Sequence, residues 1–314
     1  MKLYNIRDLQ KLSARFNFIR DNLEKVIRLT EILKYINTSE MLHGSLALKG
    51  GTAINLMFSE IPRLSVDLDF DYCADVDRDG MMTAREHINE EILAYMQSEG
   101  YVLAPNSKNP HSLDSWAFSY INAGGNKDNI KIEINYSMRQ HVLPLRQTET
   151  AIGFIPSIRI TTLAVEELYG SKIKALLERA AARDLFDVYN FLSCGLYEKV
   201  DRELLRKIVM FYQAVGGEAL PQEECNTSVI DHLQFKQIKT QLLPMLRKGT
   251  FFDFKTAKSE VKKFIAELML PNESERRFIR EFCSKEYHPE YLFDDEAIIG
   301  NIKNHPMALW KTRK

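Results

Sequence analysis

The sequence predicts two parts of different class: an α/β (α+β) N-terminal domain with a small mixed sheet, followed by an all-helical C-terminal domain. Three observations carry this. Between residues 45 and 137, short alternating runs interleave with helical patterns, the order that gives a sheet with helices laid on it. From about residue 162 onward, nearly every segment repeats its apolar residues at helical spacing. The change falls at "GFIPSIRITT", residues 153–162, which sets the expected domains at 1–158 and 159–314.

Each element has its own signal. Over residues 15–37, Phe16, Ile19, Leu23, Val26, Ile27, Ile32, Leu33 and Ile36 recur at three- and four-residue steps, an amphipathic helix. "SLALK", 45–49, reads as a short strand ended by Gly50-Gly51, and 52–58 as a short helix. "RLSVDLDFDY" alternates in character and predicts a strand, while "TAREHINEEILAYMQSEG" predicts a helix stopped by Gly100. Strands follow at 101–104, at "SWAFSYINA" and at "NIKIEINYS", the last two joined by the turn-rich "GGNKD". Helices are then expected at 163–181, 183–193, 201–214, 229–246, 254–269 and 274–284.

Composition excludes several classes of function. With 314 residues, 45% of them hydrophobic, the chain can bury a substantial core. Its 42 basic and 43 acidic side chains leave a net charge of −1, so it is no generally basic nucleic-acid coat, and any RNA contact must come from a local patch. Cys73, Cys194, Cys225 and Cys283 are scattered without a Cys-x-x-Cys pair, which argues for a reducing compartment and against structural zinc. No stretch approaches the 18 or so apolar residues of a membrane span. A cytoplasmic protein without a membrane partner is the expectation.

The chemistry concentrates in "LALKGGTAINLMFSEIPRLSVDLDFDY", residues 46–72. Side chains alternate along a strand, so Asp67 and Asp69 share one face while Val66, Leu68 and Phe70 share the other. Two carboxylates about 6–7 Å apart on one strand repel unless a cation lies between them. Divalent ions would suit them. Glu133, between Ile132 and Ile134 in "KIEIN", offers a third oxygen ligand from a neighbouring strand. Gly50-Gly51 lets backbone N–H groups approach a phosphate at the start of the next helix, and Thr52 adds a hydroxyl. Taken singly, these features are a solvated strand end, a turn and an outward-facing strand residue. Together, in this order, they are the parts a nucleoside triphosphate (NTP) site needs.

This arrangement resembles the nucleotidyltransferase fold of the DNA polymerase beta superfamily. More closely, "KGGTAINL" and "RLSVDLDF" resemble the AbiEii toxin family, with its Gly-Gly-Thr-Ala-Leu and Arg-x-Ser-x-Asp-x-Asp signatures. Gly50, Gly51, Thr52, Ala53, Arg63, Ser65, Asp67 and Asp69 occupy the matching positions, and the loop 53–64 is slightly longer than the pattern. A second family segment, a lysine helix followed by Arg-Asp-x-x-Asp, matches "KIKALLERAAARDLFDVY" at Lys172, Arg183, Asp184 and Asp187. The tail "YHPEYLFDDEAIIGNIKNHPMALWK" resembles the closing segment of the family. The resemblance implies a nucleotidyltransferase toxin of a type IV toxin–antitoxin or phage-defence operon, neutralised by a cognate antitoxin. It implies transfer of a nucleotide from an NTP to an acceptor such as the 3′ end of tRNA. Asp67, Asp69 and Glu133 would hold two Mg²⁺ (or Mn²⁺) ions. Gly50, Gly51, Thr52, Arg63, Ser65 and Lys172 would bind the nucleotide, and Asp184 or Asp187 would orient or deprotonate the acceptor. Arg139 is a weaker phosphate candidate. Transfer to a protein or small molecule, and a non-catalytic nucleotide-binding regulatory module, are the competing readings.

Three other features stay open. "DVDRDGMMTARE", residues 75–86, fits the calcium-loop spacing of an EF-hand, yet it follows a strand where an EF-hand requires a helix. Without the family, Lys172, Arg183, Asp184 and Asp187 would read as salt bridges between two helices. Arg276-Arg277-Arg280 and Lys311-Arg313-Lys314 are either an RNA-backbone contact or solvated surface.

Overall fold

The computed structural model describes residues 4–58 and 62–313. Two helices, α1 (Ile6–Phe16) and α2 (Arg20–Thr38), lead into β1 (Leu46–Lys49), α3 (Gly50–Met57) and β2 (Asp67–Tyr72). Then come α4 (Arg78–Ser98), β3 (Val102–Leu103), β4 (Leu113–Ile121), β5 (Lys127–Asn135), β6 (Arg146–Glu149) and β7 (Arg159–Thr162). The seven strands among the described residues form one mixed sheet in the order β3-β4-β5-β2-β1-β7-β6. Pairings β2–β5 and β1–β7 are parallel and the others antiparallel.

Alternation places the core. Leu68 and Phe70 of β2, Ile130, Ile132 and Ile134 of β5, and Trp116 and Phe118 of β4 are all buried. Leu23, Val26, Leu29, Ile32, Leu33 and Ile36 form the buried stripe of α2, and Ile88, Ile92 and Met96 that of α4. Tyr35 stacks on Tyr95 at 3.7 Å and donates to Glu91 at 2.5 Å, which ties these two helices together.

The remaining helices are α5 (Val165–Arg179), α6 (Ala182–Ser193), α7 (Arg202–Gly216), the single turn α8 (Phe235–Gln237), α9 (Phe254–Leu268), α10 (Glu273–Cys283), α11 (Glu296–Ile302) and α12 (Pro306–Lys311). Many begin with a side chain that accepts from the first free N–H groups: Asp201 for α7, Asp253 for α9, Asp295 for α11. Asn272 and Glu275 form a reciprocal capping box on α10. Buried Glu167 accepts from the N–H groups of Val142 and Leu143 and from the Tyr212 hydroxyl at 2.6 Å.

The contacts divide the chain into two compact units. One runs to Arg139 and includes Leu145–Thr162 and Met245–Thr250; the other comprises Gln140–Pro144, Leu163–Pro244 and the residues from Phe251 onward. Within the first, the backbone N–H of Leu64 donates to Met245, and that of Arg247 donates to Pro62. Met245 packs in a cluster with Phe18, Leu23, Val26 and Leu64.

Several expectations shift. The helix expected over 15–37 starts at Arg20, because Asn17 turns left-handed at φ 58 and ends α1. Strand β2 begins at Asp67, since Arg63 bridges Leu246 instead. The expected helix 229–246 is broken into 3₁₀ turns, α8 and a π turn (Ile238–Leu242), and Pro244 lacks the N–H to continue it. Strands β6 and β7 were not expected. Asp77 caps α4 by accepting from Gly80, so Asp79, Gly80 and Glu86 of the calcium-like stretch lie in a helix and form no EF-hand loop. No helix among the described residues is long and apolar enough to cross a membrane.

Candidate active site

The period of two along β2 puts Asp67, Asp69 and Asp71 on one face. Parallel pairing with β5 sets Asp69 opposite Glu133 and Asp67 opposite Lys131, and antiparallel pairing with β1 sets Lys49 opposite Asp69. The carboxyl of Glu133 accepts from Ser115 Oγ at 2.8 Å and pairs with Lys131 Nζ at 2.9 Å. It also lies within hydrogen-bonding reach of Asp69. Burial pushes the Glu133 carboxyl up, but the bonds from Lys131 and Ser115 outweigh it and hold the group below the usual carboxylate range. Asp71, buried, pairs with Lys49 at 2.5 Å.

The two glycines have separate reasons. Gly50 takes φ 68, and a Cβ there would lie 2.7 Å from Asp69 Oδ2, so the absent side chain lets the start of α3 press against that carboxylate. Gly51 has no positive φ; its Cβ would meet Nη2 of Arg63 at 2.6 Å and Oγ of Ser65 at 3.0 Å. Arg63 is buried, with Nη1 donating to the Leu64 carbonyl at 3.0 Å. Asn55 clamps the same turn, donating to the Arg63 carbonyl at 2.8 Å and accepting from Ser65 N–H at 3.1 Å. The Thr52 hydroxyl, buried, donates to the backbone carbonyl of Asp67. The structure therefore gathers Gly50, Gly51, Thr52, Arg63, Ser65, Asp67, Asp69 and Glu133 around α3, β2 and β5.

This donor set suits a divalent ion such as Mg²⁺ or Mn²⁺. Carboxylate oxygens are hard ligands, Asp69 and Glu133 converge from adjacent strands, and the first turn of α3 adds partial positive charge beside Asp69.

In the second unit, Lys172 of α5 lies between the carboxylates of α6, 2.9 Å from Asp184 and 3.2 Å from Asp187. Arg179 adds a bond to Asp184 at 2.8 Å. All three carboxylate and ammonium groups of the Lys172 cluster are buried. Burial raises the Asp184 carboxyl, but Lys172 and then Arg179 outweigh it and draw its pKa down to about 2.

Elsewhere most of the basic side chains singled out from the sequence are engaged, and Arg313 is exposed. Arg276 and Arg280 pair with Glu223, Arg277 with Glu281, and Lys311 donates to the carbonyls of Ala214 and Gly217. Lys314 lies outside the described residues. A cleft of about 630 Å³ in this unit is lined by Arg179 but also by Glu178, Glu218, Glu223 and Glu224, which disfavours a phosphate ligand. Glu281, Glu286 and His288 bring ligand atoms within 4.8 Å of one another, though Glu281 is held by Arg277 and His288 by Glu290 at 3.0 Å. Arg139 is half-buried, and burial holds its guanidinium below its ordinary range.

Sequence reasoning passed over Ser115, Lys131, Lys49 and Asp71. Asp71 was legible as the third member of the Asp67 and Asp69 parity. Ser115 and Lys131 needed the strand register.

A family model described as "Nucleotidyl transferase AbiEii toxin, Type IV TA system" matches residues 32–275. No curated protein matches the chain by sequence. Among solved structures, it is similar to MenT4, a nucleotidyltransferase toxin of Mycobacterium tuberculosis H37Rv, with TM-score 0.64 and 17% identity over 96% of this chain and 98% of that one. It is also similar to JHP933 of Helicobacter pylori, with TM-score 0.50 and 18% identity over 85% and 98% of the two chains. At such identities the two structures establish a shared fold. The family match covers most of the sequence, and the chain belongs to the AbiEii nucleotidyltransferase toxin family.

Proposed function

We propose that this chain is a metal-dependent nucleotidyltransferase toxin that moves a nucleotide from an NTP to the 3′ end of tRNA in the cytoplasm and is neutralised by a cognate antitoxin. The observation that carries the reading is the convergence of Asp69 and Glu133 across β2 and β5, with Gly50 pressed against Asp69.

Asp67, Asp69 and Glu133 would hold Mg²⁺ or Mn²⁺. Such ions, when bound, activate an attacking hydroxyl and neutralise a departing pyrophosphate. The N–H groups at Gly50 and Gly51 and the Thr52 side of α3 receive the β- and γ-phosphates, with Arg63 and Ser65 fixing the strand that faces them. The acceptor hydroxyl bonds to the α-phosphorus, the bond to the β-phosphate oxygen breaks, and pyrophosphate leaves with the electron pair. Lys172 offsets the charge that gathers on pyrophosphate, and Asp184 or Asp187 takes or orients the acceptor proton. The helical residues from Leu163 onward, apart from Met245–Thr250, receive the acceptor.

Two observations favour narrower variants. The contacts of Lys172 with Asp184 and Asp187 fit a lysine that only joins α5 to α6. The engaged arginines of α10 fit an acceptor other than RNA, a protein or small molecule.

The test is incubation of the purified chain and Mg²⁺ with each labelled triphosphate and total cellular RNA, beside Asp69→Asn. Label in tRNA with wild type alone supports the proposal, and label in another fraction moves the acceptor. No transfer by wild type to any fraction overturns it. In a bacterial host, growth arrest by wild type and not by Asp69→Asn at equal soluble expression ties toxicity to transfer.

A further inference from the structure

The carboxyl of Glu133 has both oxygens committed within the protein. Oε1 accepts from the hydroxyl of Ser115 at 2.8 Å, and Oε2 lies 2.9 Å from the ammonium of Lys131. These two partners differ in what they permit. A neutral hydroxyl can keep its bond while the carboxylate ligates a cation, as outer hydrogen bonds to metal ligands commonly do. An ammonium opposes the cation instead, because two positive centres on one carboxylate repel. Lys131 also stands directly opposite Asp67 on the paired strand, so the lysine is carried beside a second carboxylate-bearing residue of the site. Its side chain is 45% exposed and that of Glu133 27%, so the lysine has solvent into which it can swing.

We propose that Lys131 is a positioning residue that competes with the divalent ion for Glu133 and, once displaced, turns its ammonium to the triphosphate. This rests on the metal-dependent reading above and adds to it a residue that the family motifs do not include. The same lysine sets two quantities in opposite directions: it weakens metal binding to the protein alone and strengthens triphosphate binding once the metal is in place. It thereby favours ions that arrive with the nucleotide over ions that bind without it.

The experiment titrates Mn²⁺ into the full chain without nucleotide, by calorimetry and by electron paramagnetic resonance. Wild type, Lys131→Gln, Lys131→Met, Lys131→Arg and the double variant Lys131→Gln/Glu133→Gln are compared, each first checked by melting temperature. Removing a half-exposed ion pair is expected to tighten Mn²⁺ binding by about two- to fivefold in Lys131→Gln and Lys131→Met. Lys131→Arg stays near wild type, and the double variant loses the gain, showing that the effect passes through Glu133. With Mg²⁺ saturating, KM for the triphosphate rises in Lys131→Gln by about tenfold, the scale of one lost charge-assisted contact, with a smaller change in kcat. Mn²⁺ affinity unchanged or weakened in folded Lys131→Gln and Lys131→Met overturns the role of Lys131 while the metal reading stands. No Mn²⁺ binding by any of the five proteins, either alone or with the triphosphate present, overturns both.

Discussion

Gly51 and Arg63 are matched to each other: a Cβ on the glycine would lie 2.6 Å from Nη2 of the arginine. The guanidinium has little freedom to withdraw, since it is buried, bonded to the Leu64 carbonyl, and carried on a residue bridged to Leu246. The glycine is required by packing, not by its backbone dihedrals.

Gly51→Ala is therefore expected to lower stability even though the position is helical. In an ordinary helix interior, alanine is favoured over glycine by about 1 kcal/mol. Overpacking against a fixed side chain costs about 1–3 kcal/mol and reverses the sign. Urea melts of the two proteins decide it; a variant more stable than wild type would show that Arg63 moves aside.

Asp69→Asn and Asp71→Asn separate chemistry from structure on one strand face. The first keeps the shape of the side chain and should leave melting nearly unchanged. Its transfer rate should fall by at least about 10²-fold, the scale for losing one electrostatic contributor at a reacting centre. Asp67→Asn and Glu133→Gln should follow Asp69→Asn. Asp71→Asn breaks the bond to Lys49 and should cost stability, of order 1 kcal/mol, with the rate per folded molecule retained. Saturating-Mg²⁺ turnover of Asp69→Asn close to wild type would refute the metal scheme.

For Lys172→Ala the structure raises the expected cost. The ammonium serves two buried carboxylates, and stripping a partner from buried charge costs roughly 3–5 kcal/mol. Melting temperature should drop clearly, whereas Lys174→Ala, at a partly exposed pair with Glu178, should change it little. The rate per folded molecule then separates the readings: a fall of about 10²–10³-fold marks a phosphate ligand, and a normal rate marks a helix bridge.

Asp184 also predicts a pH dependence. Its carboxyl titrates near 2 in the folded chain against an ordinary 3.8, so the unfolded chain binds the proton first. The stabilisation is fully present above about pH 4 and is lost as pH falls through the folded value near 2, a total of roughly 2 kcal/mol. Glu167, pushed up by burial, contributes the opposite slope, being stabilising at low pH and losing that as pH rises past the ordinary range. Urea melts of wild type and Asp184→Asn at pH 6, 5, 4 and 3 should show the gap between them narrowing below pH 4. A constant gap would mean that the carboxylate is not the source.

What the sequence made legible follows from which signals are local. Alternation in "SVDLDFDY" and "KIEIN" was enough to place Asp67, Asp69 and Glu133 on strand faces, and the parallel register then set Asp69 against Glu133. That a glycine pair precedes α3 was visible; that Gly50 answers to Asp69 and Gly51 to Arg63 was not, because each match joins residues far apart in the chain. Strands β6 and β7 escaped because four polar or β-branched residues carry too short a pattern to distinguish from a loop. The broken run at 228–245 escaped because its apolar residues keep helical spacing while its backbone does not. Ion pairing of the C-terminal arginines depends on Glu223, a residue no local pattern connects to them.

Met245–Thr250 belongs to the sheet-bearing unit although the chain has by then passed through most of the other one. On the ribosome, all seven strands emerge long before this segment does. Until it arrives, the amide of Leu64 and the carbonyl of Pro62 lack their backbone partners, Arg63 lacks its bridge to Leu246, and the cluster around Phe18 and Leu23 lacks Met245. The wall behind Gly51 is thus among the last parts of the site to be finished during synthesis, and a fragment ending at residue 158 would hold Arg63 without the segment that braces it.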